Sequence, residues 1–258
     1  ESGAMRSDER EQLAEGSLIS HLVELRERLL RAVIAVGILF VPCAVFQDRL
    51  FTLVAMPLIE KMPQGTSMIA TSPVAPVMVP LKLAFMAAVF LAMPYVLYQV
   101  WAFVAPGLYK NEKRFAIPLV CSSIVLFYAG IAFAYFIVFP LMFAFLTTTA
   151  PQGVQMMTDI GNYLDFILLL FFAFGIAFEI PVATVLLAAT GMVRVETMTK
   201  NRGYVILGIF VIAAFLTPPD AISQSFMAVP MYLLYEIGIV LSRILLKERA
   251  RESAIGNS

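Results

Sequence analysis

The chain has 258 residues, of which 60% are hydrophobic and only 14% charged, with no formal net charge. Soluble domains carry about 25% charged residues, and a chain this apolar cannot cover itself with polar surface in water. The balanced charge also excludes a global field that would favour nucleic acid, so what matters is where the charges lie.

The first 17 residues are polar and rather acidic, without the apolar core of a cleavable signal. Met5 is expected to be the natural start. Three parts are expected: a polar segment at 1–17, one transmembrane domain at 18–243, and a polar cytoplasmic tail at 244–258. Residues 17–33 read SLISHLVELRERLLRAV. Leu18, Leu22, Leu25 and Leu29 recur at helical spacing, and the other side carries the i,i+4 pairs Glu24–Arg28 and Glu27–Arg31. By chemistry alone this is an amphipathic helix lying on the inner leaflet. His21 is the only histidine, and with no second His or Cys nearby no metal site is expected.

A helix needs about 20 apolar residues to cross a bilayer. Leu29–Phe46, Leu81–Phe103, Phe115–Phe139 and Leu164–Thr190 meet this, while Gly203–Leu216 and Phe226–Leu241 are short, at about 21–24 Å. Between the first two spans lies a long loop, residues 47–80, with Pro57, Pro63, Pro73, Pro76 and Pro80. A short amphipathic helix is expected over Asp48–Glu60, and the loop is expected to cap the outer face. Lys82 is expected to snorkel to the outer interface. Cys43 and Cys121 fall at opposite ends of their spans, so no disulfide is expected.

The loop after the second span contains the turn Pro106–Gly107, and in it Glu112 is the only acid among Lys110, Lys113 and Arg114. Glu179 lies near the middle of the fourth span, where an acid costs about 2.5–3.5 kcal/mol on insertion scales. Pro181, two residues on, is expected to kink the helix. Pro218–Pro219 ends the fifth span, and Asp220 suits the N-cap of the sixth. Glu236 is expected in the inner half of the last span.

Fifteen Lys and Arg fall on the side of the termini and three on the other. The positive-inside rule then places both termini in the cytoplasm. The fold expected is all-α: six transmembrane helices, the last two short, in one bundle. No phosphate loop, nucleophile elbow, zinc-protease motif or dinucleotide fingerprint is present, so neither an enzyme nor a cofactor is expected. A rival from another class is a proton-coupled small-solute transporter with Glu179 as the titrating carrier.

Four segments, HLVELRERLL, YQVWAFVAPGLYKNEKR, AFGIAFEIPVA and LTPPDAISQ, resemble in order the TatC family of the twin-arginine protein translocase. The resemblance covers about Leu18 to Arg243. It implies a cupped, glove-like bundle in the bacterial inner membrane that binds the twin-arginine signal peptides of folded precursor proteins. It further implies work with the single-span subunits TatA and TatB and with other TatC copies, driven by the proton motive force. Carried over residue by residue, the signal-peptide site comprises Glu24, Leu25, Arg26, Phe103, Tyr109, Lys110 and Glu112. Glu179, Thr217 and Gln224 become polar contacts for partner helices, and Asp220 and Pro57 structural or assembly residues.

Overall fold

In the computed structural model the chain is described over residues 2–60, 67–104, 113–149, 157–216 and 221–255. Helix α1 (Ser2–Val45) is a single helix of 44 residues. The amphipathic stretch expected on the membrane surface is therefore the lower half of the first span. No Gly or Pro interrupts residues 17–36, and one side of the stretch packs on another helix instead of on lipid headgroups. Helix α2 (Gln47–Glu60) forms where the short amphipathic helix is expected, and Pro57 lies within it.

A three-residue strand, β1 (Ser67–Ile69), precedes α3 (Ala75–Val104). The third span is α4 (Lys113–Phe133), a π-helical turn at Ala134–Val138, and α5 (Phe139–Thr149). Strand β2 (Met157–Asp159) pairs in parallel with β1, Ser67 opposite Met157 and Ile69 opposite Asp159. The fourth span is α6 (Ile160–Ala177) followed by α7 (Ile180–Ala189). It breaks at Phe178–Glu179, where Pro181 predicts the kink. Helix α8 (Val195–Lys200) is a linker, α9 (Arg202–Leu216) the fifth span, and α10 (Ala221–Ile255) the sixth.

Among the described spans only α9 is short, at about 22 Å. The sixth span is longer than the sequence suggests, with 24 apolar-rich residues over Gln224–Lys247. Ser225 turns its hydroxyl onto the Ala221 carbonyl (2.6 Å) and Glu236 is paired within the bundle, so neither polar residue ends the helix.

The core gathers around Phe174 and Ile167 on α6, with Val138, Phe139, Met227 and Met231. At the crossing of α4 and α6, Gly130 lies against the Phe174 carbonyl and the Gly175 backbone. The outer surface is the reverse of a soluble protein's. Ile38 on the first span, Val125 and Phe136 on the third and Phe215 on the fifth are at least 66% exposed, as residues facing lipid tails should be.

Side-chain contacts give the bundle two distinct ends. At one lie the start of α1, the ends of α3 and α7, and the later turns of α10; at the other, the starts of α3, α6 and α10. At the second end Lys82 does not simply snorkel: it pairs with Asp165 of α6 (2.9 Å), the nearest counter-charge across the α3–α6 contact. There too the Asp159 carboxylate closes β2. One oxygen accepts from the Thr71 hydroxyl (2.5 Å) and amide (2.9 Å), the other from the Gly161 and Asn162 amides as the N-cap of α6.

The bond from the Thr71 hydroxyl, then the amide bonds, pull the Asp159 carboxyl from its ordinary 3.8 down to about 2. The folded group holds its proton less tightly than the unfolded one, so its contribution is complete above the ordinary carboxylate range and vanishes as pH falls through about 2. Amide protection factors at residues 67–75, taken relative to the intrinsic exchange rate at each pH, should therefore fall below about pH 4. Asp159→Asn should remove that acid-dependent component, and an unchanged profile in the variant would dismiss this account.

Candidate functional site

The amphipathic segment and the last turn of α3 meet at the end that carries the termini. Glu24 and Arg28 share one face of α1, one turn apart. The Glu24 Oε1 accepts from Arg28 Nε (2.9 Å) and Nη2 (2.7 Å). Arg28 Nη1 reaches across to the Oε1 of Gln99 on α3 (2.9 Å). Gln99 is buried, whereas Glu24 keeps about a third of its side chain exposed. One turn before Glu24, the His21 ring stacks on Phe103, with centroids 4.3 Å apart and planes 14° off parallel. Glu24 and Phe103, 79 positions apart in the chain, thus belong to one cluster.

Leu25 and Arg26 are exposed beside it, but Arg26 is about 200° round the helix from Glu24. The base on Glu24 is Arg28, which sequence reasoning reads only as half of a solvated pair. Gln99 and His21 are not expected here at all. A polar amide inside the apolar run LYQVWAF is the signal that singles out Gln99, since a buried amide needs a partner.

A second polar group lies inside the membrane-spanning part. Glu179, at the break between α6 and α7, is buried. Its Oε2 accepts from the Ser123 hydroxyl of α4 (2.5 Å), and the Ser123 oxygen accepts from the Trp101 indole of α3 (2.7 Å). Its Oε1 is buried with no hydrogen-bond partner among the described residues. The neighbouring-helix bond expected for a buried acid is present, but Ser123 and Trp101 are not singled out by the sequence. Gln99 and Trp101, two residues apart on α3, thus touch α1 and α4 respectively.

Near the termini end of α10, Glu236 pairs with Arg202 of α9. Arg202 Nη2 donates to its Oε2 (2.7 Å), Nε lies 2.6 Å from Oε1 without hydrogen-bond alignment, and the Tyr232 hydroxyl donates to Oε1 (2.6 Å). This ties the short α9 to α10 and gives Glu236 a structural role. Gln224 lies in the first turns of α10, half-buried. Tyr109, Lys110, Glu112, Thr217 and Asp220 lie outside the described residues.

An apolar exterior, helices long enough to span a bilayer, and a few buried polar bonds between spans define a multi-pass helical membrane protein. A family model described as Sec-independent protein translocase protein (TatC) matches residues 20–230. The chain belongs to the TatC family, the polytopic component of twin-arginine protein translocation. It is 56% identical over 222 residues to the TatC protein of Azotobacter chroococcum, covering 86% of this chain and 87% of that one. It is 52% identical over 236 residues to that of Escherichia coli K12, covering 91% and 92%. A crystal structure titled as the twin-arginine translocase receptor TatC matches with a TM-score of 0.78 at 38% identity, over 87% of this chain and 98% of that one. The helical fold implied by the sequence resemblance is the fold found.

Proposed function

We propose that this chain is the signal-peptide receptor of its translocase, and that the cluster at the termini end of α1 and α3 is part of the binding site. The observation that carries this reading is that Glu24 and Phe103 meet there through the His21–Phe103 stack. The twin arginines of a precursor need carboxylates held at a membrane interface, because charge-assisted bonds from guanidinium to carboxylate are strong and directional. Glu24 is such a carboxylate, and Glu112 supplies a second from the segment between the second and third spans. Phe103, Leu25 and Tyr109 offer apolar contact to the peptide beyond its arginines, and Arg26 and Lys110 balance the acids. Both termini face the cytoplasm of a bacterial inner membrane, in line with the placement of Lys and Arg.

On this reading Glu179, Thr217 and Gln224 meet the helices of TatA- and TatB-type subunits, further copies of the chain complete the complex, and the proton motive force drives export. Asp220 and Pro57 shape the outer loops. The double variant Glu24→Gln/Glu112→Gln should lose at least about tenfold in affinity for a twin-arginine peptide, since each charged hydrogen bond contributes about 1.5–3 kcal/mol. Crosslinking of a labelled peptide to the full chain reads this directly. Retained crosslinking together with retained export in that variant would refute the site.

A further inference from the structure

Glu24 is already occupied by a guanidinium of the chain itself. Arg28 gives one carboxylate oxygen two donors, Nε and Nη2, at 2.9 and 2.7 Å. The neighbouring pair of identical spacing, Glu27–Arg31, is much looser, with a single 3.6 Å approach and both side chains about 60% exposed. The difference is Gln99. Its amide oxygen holds the third edge of the Arg28 guanidinium at 2.9 Å. Gln99 is itself 4% exposed, on a helix fixed to α4 by the Trp101–Ser123 bond. An exposed i,i+4 pair samples many geometries, whereas a planar fork held on two sides keeps one.

We infer that Arg28 is an internal competitor for Glu24, tethered by Gln99, and that it sets the threshold of specificity for guanidinium-bearing peptides. This rests on the reading of Glu24 as an acceptor for the peptide's arginines. An arriving guanidinium offers Glu24 the same fork that Arg28 already makes, so exchanging one for the other gains little. A ligand with one guanidinium therefore gains only a swap. A ligand with two adjacent guanidiniums gains the swap at Glu24 and a second fork elsewhere in the site. The resident group cancels what the first arginine gains at Glu24, so tight binding begins only when a second guanidinium finds a fork of its own. This is selection by a competing state, not only by attraction.

The test uses the full chain in lipid nanodiscs with labelled peptides carrying Arg-Arg, Lys-Arg or Lys-Lys at the same positions. Arg28→Gln removes the competitor. It should tighten binding of the Arg-Arg and Lys-Arg peptides alike about two- to fivefold, the range of an exposed ion pair, with a smaller gain for Lys-Lys, whose ammonium lacks the planar fork. Gln99→Leu leaves both charges in place and cuts only the tether, so it should tighten binding of both arginine-bearing peptides by less. It also serves as the test if Arg28→Gln does not fold. Unchanged or weaker binding of both arginine-bearing peptides in a folded variant overturns the inference. If Glu24→Gln leaves binding of the Arg-Arg peptide to the wild-type background undiminished, the acceptor reading fails instead. Those two failures are thereby distinguishable.

Discussion

Gly130→Ala is expected to destabilise the bundle by about 1–3 kcal/mol, toward the upper end of what overpacking costs. A Cβ at this position would run into the carbonyl oxygen of Phe174, with the carbonyl carbon 2.9 Å and the Gly175 Cα 3.0 Å away. All three are main-chain atoms of α6, so no side chain can rotate aside. Relief requires moving α4 and α6 apart, and Phe174 is at the centre of the buried core between them. Close backbone approach at a small residue is a principal source of helix–helix attraction in lipid, where no hydrophobic driving force separates helix from tail. The matched controls are Gly37→Ala and Gly208→Ala, where a Cβ would meet nothing within 4 Å. These should melt at or above the parent temperature, since Ala is the better helix former. Thermal melting in detergent, followed by loss of the monodisperse gel-filtration peak, makes the comparison. If Gly130→Ala melts no lower than the two controls, the backbone contact does not limit packing at this crossing.

Ser123→Ala should likewise destabilise, by about 1–3 kcal/mol for each buried group left unpaired. It removes the acceptor of the Trp101 indole and the donor to Glu179 in one change. Glu179→Ala should do less damage, even though an acid is the more conspicuous residue. It discards a buried carboxylate whose Oε1 has no partner among the described residues, and the Ser123 oxygen still accepts from Trp101. Stability and function should therefore part company. Glu179→Ala is expected to melt within about 1 kcal/mol of the parent while losing recruitment of partner helices and keeping peptide binding. A residue retained at a cost to stability is the pattern expected of a functional site. Melting, peptide crosslinking and co-purification of partner subunits on the same variants separate the two roles. If Glu179→Ala recruits partners normally, Glu179 is only an interior acid of the fold.

The spans were legible because hydrophobic length is a local property of the chain. The break at Phe178–Glu179 was legible because Pro181 announces it. The residues that hold the bundle together were harder to see. Arg28 meets Gln99 across 71 positions, and Ser123 meets Glu179 across 56, and nothing in either neighbourhood names the other. Of these only Glu179 stood out as a polar residue in apolar surroundings; Arg28 read as half of a solvated pair, and Gln99 and Ser123 were not singled out. The pairing of Lys82 with Asp165 was hidden in the same way, and the expectation of a snorkelling lysine rested on the one helix in which it sits. Strands of three residues carry no usable period, so β1 and β2 left no trace. Glu24 stood out through its motif, but its occupancy by Arg28 depends on a third residue from another helix.

The small β1–β2 pair has a consequence for how the protein is made. Its register joins Ser67 to Met157 and Ile69 to Asp159, so the loop before the second span cannot finish its structure until the chain has emerged past the third. Until then the ends of the first two spans away from the termini are held only by helix contacts. Long-range closure of this kind is slow to form. A nascent chain that ends before residue 157 would leave β1 unpaired and open to proteases, and the pair would close only once β2 and the start of α6 have left the ribosome and reached that end of the bundle.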